Sequence, residues 1–278
     1  MTAKHKVAAI QMATGPNVSA NLLEAKRIVE DAVNAGAEMV VLPENFSFMG
    51  KSDGEILKLK EEPGTGPLQT FLSQLAERHG IWVVGGTIPL RASNPDKIRS
   101  ACLVFNERGE QVARYDKIHL FDVHLLETDE RYSESKTIEP GTDTVVLDSP
   151  FGRIGLAICY DLRFPEQYRN LVDDGMEIAV LPAAFTALTG KAHWQPLLQT
   201  RAIENLSYMI AAAQGGYHVN GRETHGHSMI VDPWGVIQNQ LPRGNGFAMG
   251  EINLTLLNKT RQAFPALEHR QITCRFNA

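Results

Sequence analysis

Along the first half of the chain, short apolar runs alternate with longer stretches in which apolar residues recur every three or four positions. Residues 7–12 (Val-Ala-Ala-Ile-Gln-Met) predict a buried strand, and from Ser19 a helix is predicted, with Leu22, Ala25, Val29 and Ala32 on one face until Gly36. Residues 39–42 predict the next strand. Gly66-Pro67 opens a second helix, whose stripe of Leu68, Phe71, Leu72, Leu75 and Ala76 ends at His79-Gly80; proline suits a first helical turn and glycine an exit. Residues 81–87 follow as a strand, in which Gly85-Gly86 allows a bulge or a close backbone approach. Residues 101–106 and 111–115 flank Glu107-Arg108-Gly109-Glu110, and the glycine predicts a hairpin there because it supplies the positive φ such turns need.

The second half opens differently. Residues 122–141 are polar, carry Glu127, Asp129, Glu130, Glu134 and Glu139, and show no periodicity, which predicts a long loop. Loops of that length in a compact domain are usually functional or mobile, the plain alternative being a solvated acidic connector. Strands are then predicted at 144–147 and 153–158, a helix to about residue 174, and a strand at 178–181. A helix at 192–206 carries His193, Trp194, Arg201 and Glu204, and strands follow at 208–214, 226–231, 235–238 and 247–252. Strands and helices thus recur in two similar halves. That order predicts an α/β protein with two sheets packed face to face and helices outside each.

Composition narrows the partners. The 278 residues are 43% hydrophobic and 21% charged, enough to bury one large core, so one domain is expected. A net charge of −5, with no Lys/Arg run, argues against nucleic acid or an acidic membrane and for a small soluble ligand. No stretch is long and apolar enough to span a bilayer, and the N-terminus lacks a signal-peptide cleavage pattern, so a cytoplasmic location is expected. Cys102, Cys159 and Cys274 are odd in number and far apart. They predict reduced thiols in place of a disulfide framework or a cysteine-rich zinc site.

Three strand ends carry residues capable of chemistry. Cys159 closes the apolar run Ile154 to Ile158, just before the polar cluster Tyr160-Asp161-Leu162-Arg163 and Pro165, at a predicted strand-to-helix exit. A thiol there would sit beside free backbone N–H groups, as suits a nucleophile that generates an oxyanion, although an isolated buried cysteine is more often core. Glu44 follows a strand in Leu42-Pro43-Glu44-Asn45-Phe46, where the bland reading is a solvated loop carboxylate. Lys117, in Tyr115-Asp116-Lys117-Ile118-His119, would by itself be an exposed cation.

Together, in this order and these local contexts, the three motifs resemble the Glu-Lys-Cys triad of the nitrilase (carbon–nitrogen hydrolase) superfamily. The resemblance extends over nearly the whole chain, through Ala184-Phe185-Thr186, Gly190-Lys191-Ala192-His193-Trp194, Arg201-Ala202-Ile203-Glu204-Asn205 and Gly226-His227-Ser228-Met229 to Pro233-Trp234-Gly235. It implies a four-layer α-β-β-α sandwich formed by residues 1–278 as one domain, without cofactor or metal. It further implies a homodimer or larger homo-oligomer, paired through the helix after the nucleophile. The reaction implied is hydrolysis of a small amide through a thioester on Cys159. Glu44 would act as base, and Lys117 with the Tyr160 backbone N–H would stabilise the oxyanion. Glu134 resembles a second glutamate that many members place before the nucleophile.

Within the superfamily, the segments around Lys191 and His227 look most like the branch that hydrolyses deaminated glutathione to 2-oxoglutarate and cysteinylglycine. There, Arg163 and Phe185 are expected at the 2-oxo acid end. The alternatives are an ω-amidase acting on 2-oxoglutaramate or 2-oxosuccinamate, another small-amide or N-carbamoyl hydrolase, and a non-enzymatic binding module. A Cys–His hydrolase using His193 is made unnecessary by the Glu-Lys pair. His225 and His227, read as sharing a strand face, lack the third ligand that a catalytic zinc requires.

Overall fold

The computed structural model describes residues 4–127 and 129–273. In chain order the elements are β1 (His5–Gln11), α1 (Val18–Asn34), β2 (Met39–Val41), α2 (Pro67–His79), β3 (Trp82–Val84), β4 (Ile88–Arg91), β5 (Ile98–Phe105) and β6 (Gln111–Asp116). There follow β7 (Asp122–Leu125), β8 (Glu130–Ser133), β9 (Val146–Leu147), β10 (Ile154–Leu156), α3 (Pro165–Asp173), β11 (Ile178–Ala183) and α4 (Ala187–Asn205). The chain continues through β12 (Tyr208–Ala213), β13 (Gly215–Tyr217), β14 (Glu223–His225), β15 (Ser228–Val231), β16 (Ile237–Leu241), β17 (Gly246–Ile252) and α5 (Leu254–Ala263).

Two sheets are built on one plan. In the first, parallel β1, β2 and β3 are joined through α1 and α2, with antiparallel β17 on one side and β5, β4 and β6 on the other. In the second, parallel β10, β11 and β12 are joined through α3 and α4, with antiparallel β9 on one side and β15 and β16 on the other. Each half is therefore a βαβαβ unit, whose crossover helices cover one face of its sheet.

The layers follow from the two-residue period of a strand. Val7, Ala9, Met39, Val41, Trp82 and Val84 face the second sheet and join its Ile178, Val180, Tyr208 and Ile210 in one core. The intervening Ala8, Ile10, Val40 and Val83 pack against Ala25, Ile28 and Val29 of α1 and Leu68 and Leu72 of α2. Both faces are buried, which is why these strands read as unbroken apolar runs. On the far side, Tyr168 and Leu171 of α3 and Trp194, Leu198 and Ala202 of α4 close the fourth layer. The result is the expected α-β-β-α sandwich.

Several expectations are corrected. Residues 122–141 are not a long loop: β7 and β8 form an antiparallel hairpin, followed by a 3-10 turn at Glu134–Lys136. A short ribbon that is mostly exposed needs no apolar alternation, so its pattern was silent. The strand predicted at 81–87 stops at Val84, and the chain resumes as β4 after Gly86, whose φ is 56°. Helix α4 starts five residues before position 192, at Ala187, capped by the Thr186 side chain. β13, β14 and α5 were not anticipated. His225 and His227 do not share a strand, because Gly226 and His227, at φ 70° and 56°, turn the chain between β14 and β15. Cys102 and Cys159 are free and buried; Cys274 lies outside the described residues.

Candidate active site

Cys159 begins a 3-10 turn, Cys159–Arg163, that links the end of the second sheet to α3. Its φ of 46° places a side chain other than glycine in the left-handed region, a conformation costing of order 1–3 kcal/mol that only firm surroundings maintain. Those surroundings are visible. The Asp161 carboxylate, fully buried, accepts from the Ile158 N–H at 2.8 Å, the Tyr115 hydroxyl at 2.7 Å and the His119 N–H at 3.2 Å, and its Oδ1 lies 2.8 Å from His119 Nδ1. At the other end of the turn, the buried Arg201 guanidinium of α4 donates twice to the Leu162 carbonyl, at 3.0 and 2.9 Å. The turn is thus held from the first sheet by Asp161 and from the outer helix layer by Arg201.

Glu44 and Lys117 leave the first sheet at neighbouring strand ends. Glu44 follows β2, and its carbonyl accepts from Gln214 Nε2 at 2.9 Å. Gln214 is itself fully buried and also bonds Thr14, so the tip of the second sheet fixes the loop that carries Glu44. The chain passes close by Pro43: a Cβ on Gly86 would lie 2.2 Å from the Pro43 carbonyl oxygen, the close approach that the glycine pair had suggested. Lys117 follows β6, with its N–H on the Ser100 carbonyl and its carbonyl accepting from Gly141. Its side chain is fully buried, and Nζ lies 2.8 Å from Glu44 Oε1 and 2.9 and 2.8 Å from the two Glu134 oxygens. Glu134 opens the 3-10 turn after β8 and also accepts from the Phe121 N–H at 2.8 Å.

The charges are strongly coupled. Burial alone would push the Lys117 ammonium down, but Glu134 and Glu44 pull the other way and hold it well above the ordinary lysine value. Burial raises Glu134, with Lys117 opposing and Glu44 reinforcing. Burial raises Cys159 well above an ordinary thiol, Glu44 adds to the rise, and Lys117 and the Ala184 backbone oppose it. Burial thus favours the neutral thiol at Cys159, with the Glu44 carboxylate and the Lys117 cation opposing each other in its field.

Glu44, Glu134, Cys159, Tyr160, Arg163 and Phe185 line one cavity. Lys117 lies buried behind the two glutamates. The Tyr160 N–H sits in the first turn after Ile158, where a helix supplies no internal acceptor. The Arg163 guanidinium carbon lies 5.3 Å from the Phe185 ring centroid and 5.9 Å from that of Tyr160, and Nη1 is 3.3 Å from His193 Nδ1. His193 thus meets Arg163. The His225 and His227 rings stack at 4.2 Å, and among the described residues no group of three potential ligands is placed to hold a metal.

Sequence reasoning missed Asp161, Gln214 and Arg201 as supports. Asp161 stood inside the nucleophile motif, and Gln214 is a polar residue ending an apolar strand; both were signals, but their partners are distant in sequence. It also left open which residues of the 122–139 and 215–223 segments face the cavity. Tyr132 and Glu134 do so in the first segment, with Phe121 just before it, and Arg222 and Glu223 in the second.

Residues 6–262 match the family described as Carbon-nitrogen hydrolase. The Deaminated glutathione amidase of Synechocystis sp. is 44% identical over 267 residues, covering 95% of this chain and 97% of that protein. The crystal structure of Saccharomyces cerevisiae Nit3, a member of branch 10 of the nitrilase superfamily, superposes with a TM-score of 0.87 at 32% identity, covering 98% of each chain. The C. elegans NitFhit protein superposes with a TM-score of 0.90 at 35% identity, covering 99% of this chain and 68% of that one. With a match that spans both sheets and the strand ends just described, the chain belongs to the carbon-nitrogen hydrolase family, within the nitrilase superfamily.

Proposed function

We propose that the protein is an amidase that hydrolyses deaminated glutathione to 2-oxoglutarate and cysteinylglycine through a thioester on Cys159. The observation that carries the chemistry is the Glu44–Lys117–Glu134 cluster, with every Nζ contact between 2.8 and 2.9 Å, whose two glutamates line the same cavity as a strained cysteine. The substrate follows from similarity to relatives of that name and from an arginine suited to a 2-oxo acid carboxylate.

In this reading Cys159 Sγ attacks the amide carbonyl as Glu44 accepts the thiol proton. The Tyr160 N–H and Lys117 receive the oxygen as it becomes negative, and each such donor is worth about 3 kcal/mol in the transition state. Glu44 then returns the proton to the departing amine, leaving a thioester. Water, deprotonated by Glu44, adds to the thioester and releases the carboxylic acid and the free thiol. Glu134 holds Lys117 in place for both steps, while Arg163 and Phe185 seat the acyl end.

The chemical test is Cys159→Ala. The variant should fold and lose turnover, and thiol alkylation should inactivate the native protein; normal turnover by the variant, or inactivation by chelators alone, would overturn the mechanism, and a native protein with no turnover to lose would be a binding module. The substrate test is kcat/KM for deaminated glutathione against 2-oxoglutaramate, expected above one. A ratio below one would move the protein to the ω-amidases.

Three broader features belong to the same proposal. Residues 1–278 act as one catalytic domain, so limited proteolysis should not yield two stable halves. The enzyme works in the cytoplasm, where its thiols stay reduced, and a tagged chain should fractionate there. It assembles as a homodimer or larger homo-oligomer.

A further inference from the structure

A second arginine stands in the cavity that holds Cys159. Arg222, in the turn between β13 and β14, lines both that cavity and an adjoining one, whereas Arg163 and Cys159 line only the first. Its position is built. The Arg222 guanidinium carbon lies 4.5 Å from the Tyr132 ring centroid, and Nη2 is 3.1 and 3.3 Å from the two oxygens of Asp53. The backbone N–H donates to Asn220 and the carbonyl accepts from His218, so both ends of the residue are anchored. Among the described residues, neither Nε nor Nη1 makes a hydrogen bond, which leaves donors free on either side of the engaged Nη2.

The neighbouring acids do not forbid an anion there. Glu134 is matched by Lys117, and Glu223 is 3.7 Å from Arg243. Asp53 neutralises Arg222 only in part of its geometry: it engages one nitrogen, and its side chain is 51% exposed. A guanidinium that keeps donors at Nε and at Nη1 can still give a charge-assisted hydrogen bond to the oxygen of a further carboxylate.

We propose that Arg222, with Tyr132 and Asp53 at the junction of the two cavities, forms the leaving-group subsite and binds the C-terminal carboxylate of a dipeptide amine. This rests on the acyl-group assignment made above. An acyl chain anchored at Arg163 presents its amide to Cys159, and the amine beyond the scissile bond then passes toward Arg222 and the second cavity. Deaminated glutathione carries a carboxylate at each end with the scissile amide between them. A primary amide such as 2-oxoglutaramate has only the first carboxylate, so Arg222 is what favours the peptide.

The experiment compares 2-oxoglutaramyl-cysteinylglycine with the same compound bearing a C-terminal carboxamide. Native enzyme should hydrolyse the free acid with kcat/KM at least tenfold higher, mostly through KM. Arg222→Met should bring that ratio near one by losing activity on the acid, and Arg222→Lys should restore part of it. Asp53→Asn, which releases the guanidinium, should shift KM for the acid the opposite way. A native ratio near one, a ratio kept by Arg222→Met, or Arg222→Met and Asp53→Asn moving KM in the same direction would each overturn the subsite. The native ratio decides even where a variant does not fold. Cleavage of the dipeptide derivatives without discrimination removes the subsite and leaves the amidase reading standing. Cleavage of neither dipeptide derivative nor 2-oxoglutaramate removes both.

Discussion

At Cys159, burial and the Glu44 charge raise the thiol while Lys117 lowers it, and the first two win. Two measurements should therefore move in opposite directions in Glu44→Gln. Amide turnover should fall by about 10²–10⁴, the range for a lost general base. Alkylation of Cys159 at neutral pH should accelerate, because removing the carboxylate lowers the thiol pKa and enlarges the thiolate fraction. Slower alkylation in that variant would mean that Glu44 activates the resting thiol, contrary to the charge arrangement described. His225 provides a second check at this scale. Burial, then His227 and Arg243, lowers its pKa to about 4, so its ring carbon resonance should titrate near that pH and not near an ordinary histidine value.

At the scale of elements, the site depends on how closely three turns approach one another. Gly86→Ala would place a methyl group 2.2 Å from the Pro43 carbonyl oxygen at a φ of 56°, so the loop carrying Glu44 must shift. The expected cost is about 1–3 kcal/mol by thermal or urea unfolding, together with a kcat loss larger than the KM change. Native kcat in a destabilised variant would show that Glu44 is positioned from elsewhere. Asp161→Ala removes the acceptor shared by Tyr115, His119 and Ile158, and leaves those buried groups unpaired. Losing one side of such an arrangement costs about 3–5 kcal/mol. A smaller effect in equilibrium unfolding would mean that water or a new partner replaces it.

The whole molecule inherits a pH dependence from its buried lysine. Lys117 has a folded pKa raised above its unfolded value of about 10.4. Its contribution is fully present below that unfolded value and is lost as pH rises through the higher folded one. Stability should therefore decline in strongly alkaline solution, and Lys117→Met should flatten that limb of the unfolding profile while lowering overall stability, since two glutamates lose their cation. An unchanged alkaline limb would assign the dependence to other groups. Assembly is tested by light scattering: a species of only the 30.7 kDa monomer at micromolar concentration would contradict the proposed homo-oligomer, closed symmetric dimers being the commonest arrangement for soluble oligomers.

Much of the architecture was legible because its physics is local. The apolar stripes of α1 and α2, the glycine exit at Gly80 and the turn at Gly109 report backbone preferences that a short window contains. The three strand-end motifs holding Glu44, Lys117 and Cys159 were legible only together, as a family resemblance, since each residue by itself reads equally as a core thiol, a solvated carboxylate or an exposed cation. The remainder depended on distance across the fold. That Gln214 grips the Glu44 loop, that Asp161 joins two turns and that Arg222 shares a cavity with Cys159 are contacts between residues 46 to 170 positions apart. Hydrogen bonds and charge pairs leave no periodic trace in the chain, because each needs only one donor and one acceptor brought within about 3 Å. The hydrophobic pattern specified two sheets and their helices, and the packing of those sheets decided which polar residues met at the site.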